Sequence, residues 1–251
     1  MPKQILGGKT LTKTYNWKVT TSGNPYRFLN LRDDVKVMAG ELKVESSELG
    51  CAMTVVKLQS GNWMIHSPIP LTPQVAVKLE ELGEIEYIIA PNSLHHLFAG
   101  DYQSKYNCPI ITVPDVIKKR DDLQNLILYT DATEILDIDF DYLLVQGKRV
   151  HELVLKHKAS KTLLLTDLAF NRPVPEKTIL RIMEKAMGMT SPLGPTLLSR
   201  YLFFTDIPSY REGIRKLANW DFDYITLCHG DPVMHGAKKL FTRGFRKYIG
   251  T

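Results

Sequence analysis

The stretch Ile88-Ile89-Ala90-Pro91-Asn92-Ser93-Leu94-His95-His96-Leu97-Phe98 runs from an apolar segment through a proline to two adjacent histidines. It reads as a buried strand that ends in a loop feeding a helix. Open α/β layouts place their sites at the carboxyl ends of strands, where loops can hold polar groups beside a rigid sheet. Three further apolar runs end in the same manner: Trp63-Met64-Ile65-His66, Thr162-Leu163-Leu164-Leu165-Thr166-Asp167 and Tyr224-Ile225-Thr226-Leu227-Cys228-His229. A single strand-end histidine is most simply a hydrogen-bonded structural residue. Four strand ends carrying His, His-His, Asp and His form a constellation. Nitrogen and carboxylate donors drawn from separate segments suit zinc or iron, and a catalytic site of that kind keeps a position open for water or substrate.

Outward from this stretch the elements come in a definite order. Met53 to Leu58, the turn Ser60-Gly61-Asn62 and Trp63 to His66 make a hairpin. Thr72-Pro73 supplies an N-cap and a first-turn proline, Val75, Leu79 and Leu82 share a helical face, and Gly83 stops that helix. Glu86 to Ala90 is the next strand. After the His-His loop, Leu97 to Tyr106 reads as a helix, Pro109 to Val113 as a strand and Asp115 to Leu123 as a charged surface helix. The segments 141–147, 151–157 and 161–166 then read as an antiparallel set with tight connections.

Further on, Lys177 to Met187 is an amphipathic helix among Pro173, Pro175, Pro192 and Pro195, and Ile179, Ile182, Met183 and Ala186 are expected to pack into the core. Pro208 to Asn219 is another helix, Tyr224 to Cys228 a strand, and Ala237 to Tyr248 a closing helix whose Lys238, Lys239, Arg243, Arg246 and Lys247 read as a solvated face. At the other end, residues 15–21 and 34–39 suggest strands joined through the turn Gly23-Asn24-Pro25, as an edge extension of a sheet.

Composition sets the bounds. At 251 residues with 44% hydrophobic content the chain can bury one large α/β core. A formal net charge of +5 is too small and too dispersed to require a nucleic-acid partner. The opening Met1-Pro2-Lys3-Gln4 lacks a signal-peptide pattern, and no apolar run approaches the ~20 residues of a membrane span. Cys51, Cys108 and Cys228 are odd in number and widely spaced, which argues for a reducing, cytoplasmic setting. A small-molecule substrate is the expected partner, and a homo-oligomer is compatible with the sequence.

Taken together, the hairpin, helix and His-rich strand end, the antiparallel strands closing in Leu-Leu-Thr-Asp, and the late Cys-His-Gly resemble the metallo-β-lactamase superfamily. More narrowly, His66-Ser67-Pro68, the stretch from Ala90 to Phe98 and Lys161 to Asp167 resemble an uncharacterised branch of it, the domain of unknown function 4336 family. The resemblance implies an αββα sandwich over residues 51–251, preceded by an N-terminal β extension over residues 1–50.

The superfamily's first metal motif, His-x-His-x-Asp-His, falls on Pro91, Ser93, His95 and His96; its bridging aspartate falls on Asp167 and its last histidine on His229. The remaining ligand histidine lies near His151. Half of a dinuclear site is thereby retained, and the resemblance implies one zinc or iron ion, rather than two, on His95, His96, Asp167 and His229, with His151 a further metal candidate. Because His95 stands where the water-orienting aspartate would be, a different base is needed, and His66, His151 and His235 are the candidates. The reading that follows is a metal-dependent hydrolase of a small ester, thioester or similar substrate. An iron-dependent oxidoreductase on the same fold and a metal-free binding member are the alternatives.

Overall fold

A computed structural model describes residues 9–10, 18–21, 26–44, 47–171, 178–186, 192–196 and 199–250. The first sheet begins with β1 (Lys9–Thr10), β2 (Lys18–Thr21), β3 (Arg27–Arg32), β4 (Val35–Val44), β5 (Ser47–Lys57) and β6 (Trp63–His66). After α1 (Pro73–Glu80) comes β7 (Ile85–Ala90), after α2 (Ala99–Tyr106) β8 (Ile110–Thr112), and after α3 (Pro114–Ile117) β9 (Leu126–Leu128). Their order is β1-β2-β4-β5-β6-β7-β8-β9, with β3 also on β4.

Local chemistry accounts for the joints. Gly61 takes φ 92° in the tight β5–β6 turn, where Leu58 N donates to Asn62 O at 2.8 Å. Thr72 Oγ1 accepts from Val75 N at 3.3 Å to cap α1, and Gly83, at φ 129°, ends the turn that follows it. β5 and β6 are antiparallel, whereas β6, β7, β8 and β9 run parallel, so His66 and the end of β7 open on one edge.

The second sheet follows α4 (Thr133–Asp139) and contains β10 (Phe140–Val145), β11 (Glu152–His157), β12 (Thr162–Leu165) and, later, β15 (Tyr224–Leu227), in the order β10-β11-β12-β15. β10, β11 and β12 are antiparallel as expected, and β15 is parallel to β12. Between β12 and β15 lie β13 (Phe170–Asn171), α5 (Thr178–Ala186), β14 (Leu193–Gly194) and α6 (Ile207–Ala218); α7 (Ala237–Ile249) comes last.

The pleat sorts side chains into layers. Trp63, Ile65 and Ile88 meet Val75, Leu79 and Tyr102 of α1 and α2. Met64, Tyr87, Ile89 and Ile111 face Leu153, Leu155 and Leu164 of the second sheet. Val154, Leu163 and Leu165 back onto Tyr210, Ile214, Phe241 and Phe245 of α6 and α7. The result is helix, sheet, sheet, helix: the αββα sandwich. β4 pairs with β5 from Val35↔Val56 to Val44↔Ser47, so the N-terminal strands continue the first sheet across residue 50. Residues 15–17 and the Gly23-Asn24-Pro25 turn lie outside the described residues. No helix among the described residues is long and apolar enough to cross a membrane.

Three expectations change. The α-helix expected over 115–123 is confined to Pro114–Ile117. α5 forms, but Ile179, Ile182 and Met183 are 61%, 58% and 51% exposed rather than packed in the core. Among the described residues the outer face of the second sheet is covered by α6 and α7 rather than by α5. Lys238 is not free in solvent: its ammonium reaches the carbonyls of Ala218 and Trp220 at the end of α6 and lies 4.8 Å from the centre of the Phe222 ring.

Candidate metal centre

Three strand ends converge at the open edge of the sandwich. Beyond β7, Asn92 turns the chain: its Oδ1 accepts from Leu94 N at 2.8 Å and His95 N at 3.0 Å, while its Nδ2 donates to Thr166 Oγ1 at 2.9 Å and Asp167 Oδ2 at 2.8 Å. One buried amide therefore fixes the loop bearing His95 and grips the carboxylate of Asp167 across the two sheets. Ser67, just past β6, is held at φ 57° with its N–H on Ile89 O, and its Oγ lies 2.7 Å from His95 Nδ1.

The donors face one another. His95 Nε2 is 3.3 Å from Asp167 Oδ2, and His229 Nε2 is 3.7 Å from Asp167 Oδ1. One donor atom from each of the three residues falls within 4.8 Å of the other two. His229 Nδ1 lies 2.7 Å from Gly50 O. A carbonyl can only accept, so the proton sits on Nδ1 and the Nε2 lone pair is free to ligate. Phe170 stacks on the His229 ring at 4.6 Å, and the His95 and His229 rings meet edge-on at 5.2 Å. Cys228 is buried, with its thiol against His95.

Electrostatics match the geometry. Burial opposes charge on both partners, yet the imidazoles of His95 and His229 hold Asp167 well below the ordinary carboxylate range. Burial likewise disfavours a charged His95, but the Asp167 carboxylate and the Cys228 thiol together outweigh it and raise that imidazole well above its usual value. Without an ion the His95 imidazolium is the cation beside Asp167, and a bound metal ion would take the place of that proton. Two imidazole nitrogens and a carboxylate, each imidazole steadied through its other nitrogen, fit a divalent zinc or iron ion.

The remaining candidates lie elsewhere. His96 turns to Arg120, whose Nη1 is 3.2 Å from His96 Nδ1 and 2.9 Å from its carbonyl oxygen; burial and that guanidinium push the His96 pKa down to about 3. His151 sits across from α3, its Nε2 3.8 Å from Asp115 Oδ2 and its Nδ1 buried without a partner. His66 is buried with both ring nitrogens unpartnered, and burial beside His95 brings its pKa to about 3. His235 is exposed before α7. At the two motif positions without a side-chain ligand, Pro91 O accepts from Leu153 N at 2.9 Å and Ser93 O from Lys119 Nζ at 3.5 Å. Among the described residues, His95, Asp167 and His229 form the one group of three or more such side chains close enough to share an ion.

Several supporting residues escaped the sequence reading. Asn92 stands inside the opening stretch, and an asparagine directly after a strand-ending proline is a turn signal. Glu152 is an acid at the head of an apolar strand. The Gly50 carbonyl carries no side-chain signal at all.

No family model and no curated protein matches the chain. Solved structures do. A metallo-β-lactamase from Pontibacter korlensis superposes with TM-score 0.61 at 10% identity, covering 90% of this chain and 100% of that one. A metallo-β-lactamase from Erythrobacter litoralis in its mono-zinc form gives 0.57 at 11% identity over 90% and 95% of the two chains. A flavo di-iron protein from Thermotoga maritima gives 0.52 at 11% identity, over 89% of this chain and 62% of its own. The chain has the metallo-β-lactamase fold.

Proposed function

We propose that the chain is a metal-dependent hydrolase holding one ion on His95, Asp167 and His229 and acting on a small ester, thioester or similar substrate. The observation that carries this is the convergence of those three donors within 4.8 Å, two of them facing opposite oxygens of one carboxylate. A divalent ion there supplies Lewis acidity, polarising a carbonyl or phosphoryl oxygen and acidifying water. The chain's own groups do the rest. Asn92 and Ser67 keep His95 on target, and Gly50 O keeps the proton of His229 on Nδ1. His151 lies apart from the three donors, its Nε2 3.8 Å from Asp115 Oδ2 and its Nδ1 buried, so it is not placed to act as their base. His66 is a weak base in its buried place, and His235 has no partner to orient it among the described contacts.

The motifs around His66, Ala90 to Phe98 and Lys161 to Asp167 support membership of the domain of unknown function 4336 family within the metallo-β-lactamase superfamily, and the three free cysteines support a cytoplasmic setting. A second reading, an iron-dependent oxidoreductase, is favoured by the donor set itself, since two histidines and one carboxylate also suit non-haem Fe(II).

Plasma mass spectrometry of the purified chain, beside His229→Ala, Asp167→Asn and His96→Ala, tests the site. One zinc or iron per chain, lost in the first two variants and kept in the third, is the expected result. Loss in His96→Ala as well would return that residue to the ligand set. No metal after metal-replete expression without chelators would end the enzyme reading and leave the histidines as a hydrogen-bonded network. A coloured, redox-active preparation would favour the oxidoreductase.

A further inference from the structure

We infer that Glu152 is a positioning residue for this centre: its carboxylate grips the main chain on both sides of Asp167 and so sets the direction in which the Asp167 side chain points. The inference rests on the metal-binding reading above. Glu152 is fully buried at the head of β11. The β11–β12 ladder stops at Leu155↔Leu164, and beyond it Leu153 N turns away to Pro91 O. The N–H groups of Thr166 and Leu168 consequently have no strand partner on that side. Glu152 replaces the strand: Oε1 accepts from Thr166 N at 2.7 Å and Oε2 from Leu168 N at 2.8 Å.

That pairing dictates a shape. In an extended segment the N–H groups of residues two apart are too widely spaced for the two oxygens of one carboxylate, so the chain must curl between them. The chain does bend at Thr166 and turn at Asp167 and Leu168. The curl presents Asp167 to His95 and His229, and two further bonds hold it there: Ser199 Oγ donates to Asp167 O at 3.0 Å, and Asn92 Nδ2 to Asp167 Oδ2 at 2.8 Å. A carboxylate accepts from both N–H groups, whereas an amide in its place accepts from one and confronts the other with its own donor.

The test is zinc affinity of the full chain, stripped of metal and titrated against a chromogenic chelator, for wild type, Glu152→Gln, Glu152→Asp and Asp167→Asn. Glu152→Gln is expected to bind zinc about 10–100-fold more weakly, as outer-shell substitutions do, with Glu152→Asp, which keeps both oxygens on a shorter stem, between it and wild type. Cobalt(II) substitution adds a geometric readout: the visible ligand-field bands are expected to shift in both Glu152 variants. Variants that unfold more readily without metal yet bind zinc as wild type does, with unshifted cobalt bands, would overturn the inference and leave Glu152 a loop brace. If Glu152→Gln fails to fold, the Glu152→Asp affinity and spectrum decide alone. Wild type that binds no metal would remove the centre itself, and the inference with it; metal lost in Asp167→Asn but unaffected in the Glu152 variants would remove the inference only.

Discussion

Adjacent histidines in one loop are driven to opposite protonation behaviour by what each faces. His95 looks onto the Asp167 carboxylate and is raised well above its ordinary value despite burial; His96 looks onto Arg120 and, with burial, falls to about 3. The consequence for stability has a definite sign. In the unfolded chain a histidine titrates near 6.5, so as pH falls through the window from there toward 3 the unfolded state takes up a proton that folded His96 refuses. Stability contributed by the neutral imidazole is present above that window and is lost as pH falls through it. His66, also lowered to about 3, acts in the same direction, while Glu152, raised from 4.5 to about 7 by burial and Asp167, acts in the opposite one between those two values. Total slopes therefore mix terms, and a difference between variants isolates one. His96→Gln is expected to flatten the dependence of unfolding free energy on pH by about 1 kcal/mol per unit near pH 5 to 6 in metal-free protein. Denaturant melts across that range check it, and an unchanged slope would mean that His96 is protonated in the fold.

At the scale of elements, the sequence was most legible where a periodic apolar pattern met its own punctuation. Thr72-Pro73 and Gly83 bracket α1, and Ser60-Gly61-Asn62 closes the β5–β6 hairpin, because caps and turns are decided by neighbouring residues. Two strand ends point to the centre for the same reason: β12 and β15 stop two residues before Asp167 and His229, whereas His95 sits on a loop five residues beyond the end of β7. What stayed illegible depended on distant partners. Nothing near His96 announces that Arg120 will claim it, and nothing near Gly50 announces that its carbonyl will hold His229. α5 shows the limit of periodicity, which predicts that a helix has an apolar face but not that a surface remains to receive it. Ile182→Gln on α5 is accordingly expected to change stability by no more than about 0.5 kcal/mol, whereas Leu163→Ala, in the layer between the second sheet and α6 and α7, should cost about 2–5 kcal/mol. Paired chemical melts decide between this arrangement and a buried α5, which would make the two losses comparable.

Across the whole molecule the two sheets are joined at the site end by polar bonds, Asn92 to Thr166 and Asp167, Pro91 O to Leu153 N, and His229 to Gly50 O, beside the apolar contact of Leu94. The apolar layer between the sheets, with Met64, Tyr87 and Ile89 against Leu153, Leu155 and Leu164, continues away from that edge. An ion bound by His95 from the first sheet and by Asp167 and His229 from the second would therefore be a cross-brace between them, and its binding energy would add to folding energy because the unfolded chain cannot assemble the three donors. For a ligand that binds only the folded state the gain is about 2.7 kcal/mol at a hundred times Kd. Zinc added to chelator-stripped protein should then raise Tm by several degrees, an order set by about 2–4 °C per kcal/mol for a chain of this size. Asp167→Asn, which keeps the volume but loses the carboxylate between the two imidazoles, should abolish the rise. Differential scanning calorimetry with and without zinc measures it, and a Tm that ignores zinc in wild type, or rises equally in Asp167→Asn, would show that the strand ends do not share an ion.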